Sequence, residues 1–196
     1  VEKEAELAEI NPVAILNDGT LLALDGKVII DDNAMFRHDE LRKFQEVSEL
    51  EESAEKSGFS LVELDGNIAV VGNGAGLVMS SLDMLSDHGG KPACFLDVGG
   101  GATTETVYEA LTLISKMKKI KGILVNIYGG IVKTTTVATA FIKAYEDKII
   151  DIPVFARMSG AEADKSKEML KGSRTKMFDT VEEAINAAVI GVSKSG

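Results

Sequence analysis

Gly122-Ile123-Leu124-Val125-Asn126-Ile127-Tyr128 is an apolar run that ends in Gly129-Gly130 and continues into Ile131-Val132-Lys133-Thr134-Thr135-Thr136. An apolar, β-branched run of this length bounded by glycine reads as a buried strand, and the segment after it as a helix over 131–147. The arrangement occurs twice upstream. Residues 67–71 lead into Gly72-Asn73-Gly74-Ala75-Gly76, and residues 93–98 lead into Gly99-Gly100-Gly101-Ala102-Thr103. Working outward, the pattern predicts a strand at 61–64 that turns back at Asp65-Gly66, then a strand at 67–72 and a helix at 75–88. It continues with a strand at 93–98, a helix at 103–118, a strand at 152–158, a helix at 161–171, a strand at 175–178 and a helix at 180–193. Strands alternating with helices imply right-handed βαβ units and a parallel sheet. Five such units predict a flavodoxin-like doubly wound α/β domain over 59–196, its sheet covered on both faces.

Glycine turns at helix starts are anion sites. The first helical N–H groups have no partner inside the helix, and the helix dipole adds about half a positive charge there. Parallel strands place such turns along one edge, where open α/β sheets bind ligands. The sequence therefore predicts backbone recognition of phosphates or carboxylates, with the N–H groups of Gly130, Ile131 and Val132 as donors. Lys133 either adds charge or is a solvated first-turn lysine. Asn73 is either the cap of its helix or a ligand contact. The turn at 72–76 with Asp97 downstream also resembles a dinucleotide fingerprint. Leu77 stands where its third glycine belongs, however, and one dinucleotide needs one such turn, not three.

The 196 residues suit one domain plus an appendage, and 45% hydrophobic residues suffice for a core. A net charge of −10 excludes a nucleic-acid surface of clustered Lys and Arg. The single cysteine, Cys94, excludes an internal disulfide and a cysteine-based metal site, and its place in a strand marks it as packing. The sequence carries neither a signal-peptide pattern nor an apolar stretch near membrane-spanning length, so no membrane partner is expected and the expected location is cytoplasmic. His38 and His88 have no carboxylate or nucleophile at telling spacing.

The acidic start lacks an initiator Met, and the expectation is a piece of a longer chain. Residues 10–30 read as a hairpin around Asn17-Asp18-Gly19, within a first segment at 1–32. Such a hairpin cannot stand alone in water, so it should belong to a domain whose remainder lies upstream. Residues 33–58 read as a charged linker with helical pieces, the spacing of Leu41, Phe44 and Val47 allowing a helix. Residues 193–196 read as a tail. On the hairpin, Glu9, Asn11 and Asp25 are hard oxygen donors on facing strands. They serve either a Mg²⁺ ion, which prefers a few protein oxygens plus phosphates, or an ordinary turn and edge.

Several stretches in order resemble the succinyl-CoA synthetase (succinate–CoA ligase) β subunit over nearly the whole chain. They are Glu9-Ile10-Asn11-Pro12, Leu24-Asp25-Gly26-Lys27, Asn73-Gly74-Ala75-Gly76-Leu77, Asp87-His88-Gly89-Gly90, Phe95 through Thr103 with its Gly99-Gly100-Gly101, and Leu124 through Val132. The resemblance implies the C-terminal region of that subunit, preceded by the last hairpin of an ATP-grasp domain. It implies a partner α subunit carrying the phosphorylated histidine and the CoA site, with ATP or GTP held by the upstream region. It places succinate at positions Asn73, Gly130, Ile131 and Val132, the nucleotide site at Glu9, and Mg²⁺ at Asn11 and Asp25. Lys133-Thr134 stands where many members carry Arg-Cys. Malate–CoA ligase β subunits and a flavodoxin-like docking module are the alternative readings.

Overall fold

The computed structural model describes residues 3–44 and 47–193. Residues 194–196 of the expected tail lie outside them. Contacts divide the chain into two units, Val1–Val47 and Ser48–Gly196.

The first unit is a long hairpin followed by two short helices. β1 (Ala5–Ile10) pairs antiparallel with β4 (Gly26–Ile30), and β2 (Val13–Ile15) pairs with β3 (Leu21–Ala23). Both ladders share one register, so this is a single hairpin interrupted at Asn11-Pro12 and Leu24-Asp25. Proline has no N–H to give the ladder, yet its carbonyl accepts from Leu24 N–H (3.1 Å), and Asn11 N–H donates to Asp25 O (3.2 Å). The strands start at Ala5, inside the acidic segment that the sequence left outside the hairpin. Its large apolar side chains, among them Ile10, Ile15, Leu21 and Val28, are exposed. The helix expected through Leu41, Phe44 and Val47 is instead two 3-10 helices, Asp32–Arg37 and Asp39–Phe44. Apolar residues spaced by three fit the threefold helix better than the 3.6-residue one.

The second unit is a six-stranded sheet. β5 (Ser60–Glu63) is an edge strand, antiparallel to β7 (Pro92–Asp97). β6 (Ile68–Gly72), β7, β8 (Gly122–Gly129), β9 (Val154–Gly160) and β10 (Thr175–Phe178) are parallel, and the sheet order is β10-β9-β8-β6-β7-β5. For the parallel strands this is the flavodoxin order, with its switch point between β6 and β8. β5 reverses direction as expected, but β7 lies between it and β6. The chain leaving β5 keeps bonding to β7, through Leu64 N–H to Ala93 O and Gly66 N–H to Pro92 O, both 2.9 Å. A side chain at Gly66 would strike Lys91 O at 2.1 Å.

Six α-helices complete the unit: α1 (Glu49–Lys56), α2 (Ala75–Asp87), α3 (Thr104–Lys116), α4 (Thr134–Glu146), α5 (Ala163–Met169) and α6 (Val181–Ser193). α1 belongs to this unit, with Ala54 fully buried. Its Ser48 and Glu51 form a reciprocal cap, and the same Glu51 carboxylate accepts the Glu63 N–H of β5 at 2.9 Å. Alternate strand residues point to opposite faces. Val71, Ile123, Val125 and Ile127 pack with α3 and α4 residues such as Leu111, Ile114 and Phe141, while Val70, Leu124 and Phe155 pack with α2 and α6. Each fully buried side chain of this size contributes about 1.5–3 kcal/mol. Burial on both faces is why the strands read as continuous apolar runs. Among the described residues no helix is long and apolar enough to cross a membrane.

Candidate anion site at the switch point

β7, β6 and β8 are neighbours, and Asp97, Gly72 and Asn126 stand in one row across them. The three glycine turns therefore lie side by side at the carboxyl edge, as the spacing predicts. They are not equivalent. Asp97 Oδ1 accepts from Gly74 N–H (2.7 Å) and Gly99 N–H (2.8 Å). The protein's own carboxylate thus takes one N–H from each of the first two turns. This also removes the dinucleotide reading, because the acid that would meet a ribose is turned onto the backbone.

Asn73 is not the cap of α2. Gly74 is the cap residue of α2, at φ 117°. The Asn73 amide instead spans the switch point. Its Nδ2 donates to Tyr128 O (2.8 Å) and its Oδ1 accepts from Tyr128 N–H (2.9 Å). The end of β6 is thereby fixed to the end of β8, two residues before Gly130.

In the third turn, among the described residues, no side-chain carboxylate accepts a backbone N–H. α4 begins at Thr134, three residues later than expected, so Gly130, Ile131 and Val132 form a bend ahead of the helix. Val132 is buried in the core, and its side chain holds the bend down. Gly130 N–H turns back to Tyr128 O at 3.0 Å. Thr134 N–H is taken by Ala161 O (3.2 Å) and Thr136 N–H by Lys133 O (3.0 Å). Among the described residues, the N–H groups of Ile131 and Val132 have no partner. Two successive unpaired N–H groups just ahead of a helix start are candidate donors to an anion. Ile131 beside them is 90% exposed.

An ion pair flanks this bend. Lys133 Nζ lies 2.9 Å from Glu162 Oε1, and Thr135 Oγ1 donates to Glu162 Oε2 at 2.6 Å. These bonds, Thr135 first and Lys133 second, hold the Glu162 carboxyl below the usual carboxylate range. Sequence reasoning passed over Glu162, which precedes α5 in the left-handed conformation at φ 65°.

It also passed over a buried polar chain under the switch point. Asn126 Nδ2 donates to Ser81 Oγ (2.9 Å), Ser81 donates to Leu77 O (2.7 Å), and Arg157 Nη1 reaches Asn126 Oδ1 (3.4 Å). A polar residue inside an apolar strand run, as at Asn126, was the available signal.

In the hairpin unit, Asn11 Nδ2 donates to Glu9 Oε1 (3.4 Å), and Asp25 Oδ1 accepts from Gly26 N–H (2.8 Å). Asn11 and Asp25 face each other through their backbone bond. The donor set is all oxygen and exposed, which suits a hard divalent ion. Among the described residues no three His, Cys, Asp or Glu side chains converge.

Residues 71–190 match the family model described as CoA-ligase. The chain belongs to the CoA-ligase family. Over 95% of its length it is 44% identical to the GDP-forming succinate–CoA ligase β subunit of Thermus thermophilus, covering 50% of that protein. Over 99% it is 42% identical to the ADP-forming β subunit of Bacteroides fragilis, covering 52%. The chain spans about half the length of the curated relatives it matches. Among solved structures, ATP citrate lyase from Methanothrix soehngenii, in complex with citrate and coenzyme A, aligns with a TM-score of 0.64 at 15% identity, covering 96% of this chain and 55% of that one. That likeness is one of fold.

Each histidine bonds within its own unit. His88 Nδ1 sits 2.7 Å from Met84 O at the end of α2. In the hairpin unit His38 Nε2 lies 3.0 Å from Glu4, beside Arg37. Cys94 is buried, and desolvation pushes its thiol up to about 12. A cavity of about 550 Å³ between Gly66, Ala93 and Met117 lies at the amino edge, away from the glycine turns.

Proposed function

We propose that this chain serves as the C-terminal part of a succinate–CoA ligase β subunit. The whole enzyme would convert succinate, CoA and NTP to succinyl-CoA, NDP and phosphate, reversibly, through a phosphohistidine on an α subunit. The observation that carries the reading is the 44% identity to such a subunit over 95% of the chain. The switch-point geometry gives it a physical role.

The unpaired N–H groups of Ile131 and Val132 would donate to a carboxylate or a transferred phosphoryl group, with Gly130 allowing close approach. Asn73 would hold the two turns at a fixed separation, so the donors are already oriented when charge develops. The exposed Ile131 and Tyr128 beside them would meet the α subunit. Phosphoryl transfer asks little covalent chemistry of the protein and depends on such positioning. In the hairpin, read as the last piece of an ATP-grasp domain, Asn11 and Asp25 would hold Mg²⁺, with Glu9 in the nucleotide site. The ion would supply charge neutralisation at the phosphates. ATP or GTP would be bound through an upstream domain, and the protein would act in the cytoplasm, or in the mitochondrial matrix of a eukaryote.

On this reading the 196-residue chain alone is inactive, because the histidine and the CoA site belong to the partner. The test is NDP release by the chain alone with NTP, succinate, CoA and Mg²⁺. Release by the chain alone would overturn the proposal; no release alone, with release on adding α to a full-length β chain, is the expected result.

A further inference from the structure

We infer that Glu162 is a built-in counter-anion of the switch-point site, which sets how tightly the bend before α4 takes a carboxylate or phosphoryl group. The inference rests on the reading of Gly130–Val132 as the anion site.

Glu162 reaches across from the turn after β9. One carboxylate oxygen is 2.9 Å from Lys133, the cap residue of α4, and the other accepts from Thr135, the second residue of that helix. An anion is therefore already placed at the positive end of α4. The placement is enforced by the backbone. Gly160, at φ 94°, packs so closely on β8 that a Cβ there would meet Gly129 O at 2.3 Å. Ala161 N–H donates to Gly129 O (2.8 Å), and Ala161 O accepts from both Thr134 N–H (3.2 Å) and Thr134 Oγ1 (2.9 Å). Glu162 follows in the left-handed region, where a residue with a long side chain sits at a cost. A strained residue held by one ion pair and one hydroxyl hydrogen bond is a positioned charge, not a loose surface glutamate.

The consequence concerns charge. Without Glu162, the Lys133 ammonium and the dipole of α4 would both favour an arriving dianion. With it, Lys133 is already paired, and the ligand meets a carboxylate of like sign at the start of the helix that follows the unpaired N–H groups of Ile131 and Val132. Glu162 thus weakens anion binding and eases release of a charged product. Lys133 is 63% exposed and Glu162 32%, so water and salt moderate the effect without abolishing it.

The test follows the amide resonances of residues 130–136 in the 196-residue chain while inorganic phosphate, and separately succinate, is added. Glu162→Gln removes the charge and keeps the shape. Glu162→Asn removes the charge and suits the left-handed backbone, so it remains informative if the first variant folds poorly. Both should bind about three- to tenfold more tightly than the parent, the gain shrinking at high salt. Lys133→Met, which leaves Glu162 unopposed, should bind more weakly. A parent that titrates while both Glu162 variants bind no tighter would overturn the counter-anion and leave the anion site standing. No shift at residues 130–136 in any variant would overturn both.

Discussion

The side-chain amide of Asn73 bonds both the N–H and the carbonyl of Tyr128, at 2.9 and 2.8 Å, and so ties β6 to β8 across the point where the strand order reverses. Asparagine carries one donor and one acceptor at the spacing that a peptide unit offers. Aspartate lacks the donor.

Asn73→Ala should therefore cost about 1–2 kcal/mol of stability, the range for losing a pair of solvent-accessible hydrogen bonds. Asn73→Asp should be no better, since its carboxylate would face Tyr128 O. Urea titration measures both. In the assembled enzyme, activity should fall further than stability explains, because the donor loop loses its anchor.

Asp97 should matter as much, for a different reason. Asp97→Ala leaves the Gly74 and Gly99 N–H groups without their acceptor, and a loss of about 2–4 kcal/mol is expected for two charge-assisted bonds. Asp97→Asn keeps an acceptor oxygen and should lose less than half of that. Equal losses in the two variants, read from denaturation midpoints, would contradict the account.

The fold was legible because the strands are covered on both faces and the helices amphipathic, so length and glycine punctuation separate them. The start of α4 was not. Ile131-Val132 looks like an apolar first turn, but Val132 goes into the core from a bend, and the helix waits for Thr134. The pairing of β5 was hidden for another reason: a short strand beside a glycine turn suggests a hairpin, and nothing local shows that β7 will enter the gap. At the site, the glycines and Asn73 could be picked out from sequence. The roles of the internal carboxylates could not: Asp97 stood out only as a ribose candidate and Glu162 not at all, since they act on turns 23 and 27 residues away in the chain, at Gly74 and Thr135.

Two glycines, one at the end of β9 and one in the turn after β7, give a paired test of close backbone approach. Gly160→Ala combines φ 94° with a Cβ 2.3 Å from backbone, so it should cost more than about 3 kcal/mol or prevent folding. Gly101→Ala meets nothing within 4 Å and should change stability by less than about 0.5 kcal/mol. Thermal melts of the two variants separate the cases.

Cys94 gives a pH dependence. Its thiol is raised from an ordinary value near 9 to about 12 by burial. Below pH 9 both folded and unfolded thiols are protonated, and the full stability is present. Between 9 and 12 the unfolded chain loses the proton and the folded chain keeps it. Stability therefore falls as pH rises, by up to about 1.4 kcal/mol per unit. Denaturation midpoints at about pH 8 and about pH 10.5, compared with Cys94→Ala, should show a steeper decline in the parent. Parallel declines would contradict the assignment.

The most direct measurement of the central claim is NDP release by the full-length β chain assembled with its α subunit, given CoA and a panel of succinate, malate, citrate and acetate. The account predicts release selective for succinate, with loss in the Asn73→Ala complex. Release selective for malate, or none with any acid from an intact complex, would contradict it.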